Sequence, residues 1–267
     1  MKTRIERRFE WLKERKRKGF IAYITAGDPT LKATAEIVLK LEDAGVDIVE
    51  LGIPFSDPLA DGRVNQQSAA RALAGGTTLD GVLDCVAEIR KRSDIPILFY
   101  SYLNLLIARG FENTVRRIAR SGTDGLLILD LPVEEATRHA ATMEQHRLNN
   151  ICLVAPTSPE ARIRRIVRAC TGFVYCVSRE GVTGMQKELS PAAVSLIKTT
   201  KRMTKLPVAL GFGISTPAQA QTAAKEADAI VVGSAIVDRF ASEPNTSRGR
   251  TTAAAWVKTL VQAVRRV

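Results

Sequence analysis

Apolar and polar positions follow two rhythms along this chain. Short, nearly continuous apolar runs rich in β-formers recur at 19–26, 46–53, 95–102, 125–131, 151–156, 172–177, 207–211 and 229–233. Stretches with helical spacing lie between them at 31–44, 78–92, 112–121, 133–147, 159–169, 191–204 and 217–226, and a last one spans 249–266. The first rhythm predicts strands and the second amphipathic helices. Asp28-Pro29-Thr30, Ser158-Pro159, Ser190-Pro191 and Thr216-Pro217 place a capping or near-capping residue beside a proline suited to a first turn. Ala44-Gly45, Arg109-Gly110 and Ser121-Gly122 supply helix stops.

The strand runs are apolar throughout rather than alternating, as in Leu126-Leu127-Ile128-Leu129. Strands covered by helices on both faces read this way, which means a parallel sheet. Eight successive βα units then predict an α/β fold, a (β/α)₈ TIM barrel, as one domain over residues 1–267. A doubly wound open sheet is the rival, but it usually carries its glycine-rich turn after the first strand. Here the nearest such run, Gly211-Phe212-Gly213, follows the seventh. Residues 3–18 precede the first strand and predict an extra amphipathic helix, with Ile5, Phe9 and Leu12 at helical spacing to cover the barrel's open bottom. The connection 54–76 after the second strand is long, and long connections in compact folds are more often functional than idle.

Charge changes the picture only slightly. The chain has 39 Lys and Arg against 28 Asp and Glu, a net charge of +11. Residues 1–18 hold nine of the basic residues and only three acidic ones. Such a balance suits an anionic substrate or plain solubility. At 5% aromatic residues there is little material for stacking single-stranded nucleic acid, so neither a nucleic acid nor a membrane is expected as partner. No run approaches the ~18 apolar residues of a membrane span. Cys85, Cys152, Cys170 and Cys176 are scattered, and Cys152 and Cys176 sit in apolar runs as small buried hydrophobes. With no apolar leader core in the first 18 residues, these features predict a reducing, cytoplasmic setting.

Candidate chemistry centres on carboxylates. Glu50 is the single acid late in an apolar strand, and a period of two puts it on one face with Ile48. If that face is the barrel interior, burial raises the pKa of the carboxyl, as a general acid near neutral pH requires. The competing reading is a Glu paired with a nearby Lys or Arg. Asp61 lies just beyond the same strand beside Gly62, and two carboxyls in different surroundings can divide into an acid and an anion. Loop capping is the alternative for Asp61, and more so for Asp57, which begins an Asp-Pro turn. Tyr175 shares a face with Phe173 and Val177, where its phenol either meets substrate or closes a buried hydrogen bond. Gly184, Gly213 and Gly233-Ser234 follow the last three strands, where glycine loops can cradle a phosphate or merely turn the chain. There is no Walker A run, no dinucleotide fingerprint and no H-E-x-x-H. His139 and His146 lie together on one predicted helix as surface or packing residues, so no metal site is expected.

The run Glu50-Leu51-Gly52-Ile53-Pro54-Phe55-Ser56-Asp57-Pro58-Leu59-Ala60-Asp61-Gly62 resembles the signature of the tryptophan synthase alpha chain family. Thr25-Ala26-Gly27-Asp28-Pro29, Asp130-Leu131-Pro132-Val133-Glu134-Glu135, Ser178-Arg179-Glu180-Gly181-Val182-Thr183-Gly184, Gly211-Phe212-Gly213-Ile214-Ser215 and Val232-Gly233-Ser234-Ala235-Ile236-Val237 follow in the family's order. The resemblance implies a TIM-barrel lyase of tryptophan biosynthesis that cleaves indole-3-glycerol phosphate to indole and glyceraldehyde 3-phosphate. It puts the two catalytic carboxyls at Glu50 and Asp61 and an active-site phenol at Tyr175. Phosphate contacts fall on Gly184, Phe212, Gly213, Gly233 and Ser234. Leu127 and Thr183 match substrate-lining and mobile-loop positions, and Tyr100 falls near the pocket. No cofactor is implied in this chain. The partner is a beta chain carrying pyridoxal phosphate, in an allosteric α₂β₂ complex, with Pro54 and Asp57 facing it and the loop from Arg179 to about Leu189 closing over substrate.

Two stretches depart from the family pattern. Arg63-Val64-Asn65-Gln66 replaces a Pro and an apolar residue before Gln, and Tyr100-Ser101-Tyr102-Leu103-Asn104-Leu105 lacks the usual Pro, which leaves the register there open. A different phosphate-handling barrel enzyme, a non-catalytic regulatory subunit and a basic nucleic-acid binder are the competing functions.

Overall fold

The computed structural model describes residues 2–177, 189–211 and 213–267. A first helix, α1 (Arg4–Glu14), precedes β1 (Gly19–Thr25), α2 (Leu31–Asp43) and β2 (Ile48–Gly52). Then come α3 (Arg63–Ala74), α4 (Leu79–Arg90), β3 (Ile97–Ser101), α5 (Leu103–Ile107), α6 (Phe111–Ser121) and β4 (Gly125–Ile128). The chain continues through α7 (Val133–Gln145), β5 (Asn149–Val154), α8 (Glu160–Ala169), β6 (Val174–Val177), α9 (Pro191–Met203) and β7 (Val208–Gly211). It closes with α10 (Pro217–Glu226), β8 (Ala229–Val232), α11 (Ser234–Ser242) and α12 (Ser247–Val264). The eight strands pair in parallel in sequence order, and β8 returns to β1, so the sheet is a closed barrel.

Strand alternation divides the apolar side chains into two bodies. Phe20, Ala22, Val49, Leu51, Ile97, Phe99, Val174 and Cys176 point outward beneath the helices. Ile21, Ile48, Leu98, Leu127, Ile151, Phe173 and Tyr175 point inward. Ile5, Phe9 and Leu12 of α1 join the inner body and seal its bottom, as their spacing predicts. The polar side of α1 stays outside, where the guanidinium groups of Arg8, Arg15 and Arg17 lie 5.4, 4.5 and 5.6 Å from the Trp11 ring centre. Two buried aspartates anchor the same end. Asp47 accepts the Phe20 amide and Arg265, and Asp124 accepts the Ile97 amide, Arg90 and Arg4.

Thr30 and Ser190 cap α2 and α9, and Thr216 with Gln219 forms a capping box on α10. Several expectations need correction. Ser158 is near-capping rather than capping: it precedes Pro159, the cap residue of α8, and its hydroxyl accepts the Ala155 amide; Pro159 therefore stands before the first turn, not in it. Gly110 serves two helices: its amide donates to the carbonyl of Ile107, the last residue of α5, and with φ of +82° it stands at the N-cap of α6. The first helix stops at Glu14 rather than residue 18, because Lys16 takes a left-handed turn at φ +51° that no glycine announces. Cys152 is only half-buried. Three helices were not foreseen. α3 buries only Ser68, Ala69 and Ala72 and starts at Gly62 without a side-chain cap, so its apolar signal is faint. α5 has five residues, and α11 follows β8 without a connecting loop.

Candidate active site

Glu50 is the third residue of β2 and pairs in register with Tyr23 on β1 and Leu98 on β3. It faces the barrel interior at 1% exposure. Its Oε1 is buried without a hydrogen-bond partner among the described residues. Burial, and then the nearby Asp61 carboxylate, push its pKa up to about 8. The pairing with Lys or Arg weighed from sequence is not found among the described residues.

Asp61 sits in the irregular connection between β2 and α3. Its Oδ1 accepts the Tyr100 hydroxyl at 2.7 Å and its Oδ2 accepts the Tyr102 hydroxyl at 2.8 Å. The Asn65 side-chain amide donates to Oδ1 at 3.4 Å, so one departure from the family pattern lies directly on this carboxylate. Asp61 thus has an anion's partners, and Glu50 has surroundings that favour the neutral acid. Tyr175, on β6, is 8% exposed, and its phenol pKa is raised by burial and by the Glu50 charge.

Glycines make room for these phenols. A Cβ on Gly52 would lie 2.4 Å from Tyr23 Oη, and one on Gly211 would lie 2.6 Å from Tyr175 Cε1. Tyr23 and Tyr102 were missed from sequence. Tyr23 meets Tyr100 edge-on with centroids 5.0 Å apart, and Tyr102 stacks on Phe55, also at 5.0 Å. The inward period of β1 marks Tyr23, which follows Ile21 by two. Nothing local marks Tyr102, which stands at the N-cap of α5.

Leu127 lines the barrel interior from β4. Gly233 caps α11 and Ser234 is its first residue, so the helix's unpaired amides open at the end of β8. Gly213 follows β7, the neighbour of β8 in the sheet. Thr183, Gly184 and Phe212, and most of the loop expected to close over substrate, lie outside the described residues. Pro54 is buried, whereas Asp57 is exposed and Leu59 is 83% exposed. His139 packs on Phe111 with centroids 4.2 Å apart, in keeping with a packing role. No cluster of three or more His, Cys, Asp or Glu that could hold a metal occurs among the described residues. Among them, no helix is long and apolar enough to cross a membrane.

The chain is thus a closed (β/α)₈ barrel with one carboxyl inside β2, a second in the connection that follows it, and glycine turns after its last strands. The family model described as tryptophan synthase alpha chain matches residues 9–265. The chain is 44% identical over 263 residues to the tryptophan synthase alpha chain of Geobacter sulfurreducens, covering 98% of each. It is 48% identical to that of Gloeobacter violaceus over 240 residues, covering 90% of this chain and 87% of the relative. Tryptophan synthase subunit alpha from Legionella pneumophila superposes with a TM-score of 0.92 at 32% identity over the whole of both chains. A chain from the aminoacrylate-bound form of M. tuberculosis tryptophan synthase superposes with a TM-score of 0.87 at 31% identity, covering 98% of this chain and all of the other. The chain belongs to the tryptophan synthase alpha chain family. It is a lyase of tryptophan biosynthesis that cleaves indole-3-glycerol phosphate.

Proposed function

We propose that Glu50 and Asp61 carry this cleavage between them, within one barrel domain. Glu50 delivers a proton to C3 of the indole ring. The ring nitrogen becomes cationic, and Asp61 accepts its N–H and balances the charge. The glycerol hydroxyl next to the ring returns a proton to Glu50 as the C–C bond breaks. The bonding electrons restore the indole, and the hydroxyl carbon becomes the aldehyde of glyceraldehyde 3-phosphate. One carboxyl working in both directions closes the proton balance. The observation that carries this reading is Glu50 itself, an acid buried inside the barrel with Oε1 unpartnered among the described residues and its pKa pushed up by burial and the Asp61 charge.

The substrate's phosphate is held at the amides of Gly213, Gly233 and Ser234, joined by Gly184 and Phe212. Leu127 packs the ring, Tyr175 shares the barrel interior with Glu50, and Thr183 belongs to the closing loop. A beta chain is the partner, and pyridoxal phosphate serves that chain's step rather than this one. Its docking face includes Asp57 and the bare side chain of Leu59. Pro54, buried in its own chain, acts only through the loop it begins. A cytoplasmic setting agrees with four unpaired cysteines.

Indole release from indole-3-glycerol phosphate tests the assignment. The chain should form indole and glyceraldehyde 3-phosphate in equal amounts, and faster once a beta chain is added. Leu59→Glu should lower that stimulation at least several-fold and leave unaided release near wild type. Turnover of some other sugar phosphate, with no indole formed, would overturn the reading.

A further inference from the structure

Asp61 belongs to an exposed connection, yet its task needs a fixed direction. Residues 56, 57, 59 and 60 around it are exposed, and Asp61 itself lies in no strand or helix. What holds the carboxylate is a pair of phenols with different footings. Tyr102 bonds Oδ2, and its oxygen also accepts the Ala60 amide at 3.1 Å while its ring stacks on Phe55. Both of those residues lie on the same connection as Asp61, so Tyr102 grips the loop. Tyr100 stands within β3, paired in register with Gly52 of β2 and Leu127 of β4, and its ring is braced edge-on by Tyr23. It lies two residues after Leu98, the register partner of Glu50, and on the same inward face.

We propose that Tyr100 is a positioning residue for the reaction, tying the Asp61 carboxylate to the barrel wall and thereby setting its direction toward the ring N–H while Glu50 works on C3. The inference rests on the role given to Asp61 above. Each carboxylate oxygen has two lone-pair sites; Tyr100 and Asn65 take those of Oδ1, and Tyr102 takes one on Oδ2, which leaves the other for the ring N–H. The Tyr100 phenol stays protonated, because burial and the facing Asp61 charge both raise its pKa, so it remains a donor. The groups facing Asp61 are Tyr100 on β3, Tyr102 at the start of α5, Asn65 on α3, and Glu50 and Tyr23 across the interior. Among these Tyr100 is the one strand residue bonded to the carboxylate.

The test is Tyr100→Phe in the full chain with its beta chain. Phe keeps the packing on Tyr23 and removes the bond. A lost bond to a charged group corresponds to roughly a 10- to 100-fold fall in kcat, and KM should change less than about threefold because the phosphate grip is untouched. A second measurement separates aiming from mere packing. Affinities are measured for an uncleavable indolylalkyl phosphate and for the same molecule with an oxygen in place of the ring N–H. Wild type should prefer the N–H form, and Tyr100→Phe should lose most of that preference. Wild-type kcat and preference in Tyr100→Phe, or equal loss of affinity for both ligands, would overturn the proposal. Asp61→Asn, measured in parallel, keeps the two readings apart. If it retains the rate and the preference, the role of Asp61 fails. If it loses both while Tyr100→Phe does not, only the positioning role fails.

Discussion

Glu50→Gln is expected to slow indole release by about 10²- to 10⁴-fold, the range of general acid–base contributions, while making the folded chain more stable at neutral and alkaline pH. The two effects have one cause. Glu50 is buried, lacks a partner on Oε1 among the described residues, and holds its proton up to about pH 8. An ordinary glutamate in the unfolded chain releases its proton near 4.5. Below that pH both states carry the proton and burial of Glu50 adds no titration cost. As pH rises, the unfolded chain ionises first, so the folded state loses ground progressively until Glu50 also ionises near pH 8. The accumulated cost at pH 7 is on the order of 3 kcal/mol. Gln, which does not titrate, removes it. Urea denaturation at pH 5, 7 and 9 should show the two proteins diverging as pH rises. The alkaline limb of wild-type kcat/KM should fall near pH 8. Normal turnover in the Gln variant would remove Glu50 from the reaction, and a stability difference flat across pH would show that its carboxyl is not held neutral.

Arg90→Ala is expected to destabilise the fold by about 3–5 kcal/mol, the cost of breaking a buried ion pair from one side. Arg90 lies on α4 with its guanidinium almost fully enclosed. It donates to the carbonyls of Gly122 at 2.8 Å and Ile95 at 2.7 Å, and to Asp124 Oδ2 at 2.9 Å. Burial pushes the Asp124 carboxyl up, and the Ile97 amide, Arg90 and Arg4 pull it back. Without Arg90 that carboxyl and those carbonyls lose a charged donor together. For a chain of this size the loss corresponds to a fall in Tm of roughly 10 °C. Arg90→Lys should recover only part of it, because an ammonium cannot reproduce the planar fork. The network lies at the N-terminal ends of the strands, the face of a barrel that serves stability rather than chemistry. Indole release measured well below the transition should therefore stay near wild type. An unchanged Tm would mean that the Arg4 contact suffices to hold Asp124.

Glu50 was legible because a lone acid in a continuous apolar strand stands out, and a period of two assigns it a face. The eight strand runs were legible for the same reason. Asp61 was legible through its motif, but its surroundings were not. Its bonds to Tyr100 and Tyr102 join residues 39 and 41 positions apart, and no local pattern records them. Helix α3 was hidden because its buried face is Ser and Ala, whose contrast with the polar face is small. The early end of α1 turned on one left-handed lysine, a conformation that sequence assigns to glycine by default.

By itself the chain's pattern decided that eight βα units follow one another, that Ile48 and Glu50 share one face of a strand, and that two carboxyls and a phenol are the candidates for the chemistry. These follow from each residue's relation to its own backbone, which helix and strand periods set locally. Only the tertiary structure decided that Glu50 is buried with a raised pKa, that two phenols take the two oxygens of Asp61, and that Arg90 compensates Asp124. Those properties depend on desolvation and on distances between strands and helices remote in sequence, and they exist only once the barrel has closed.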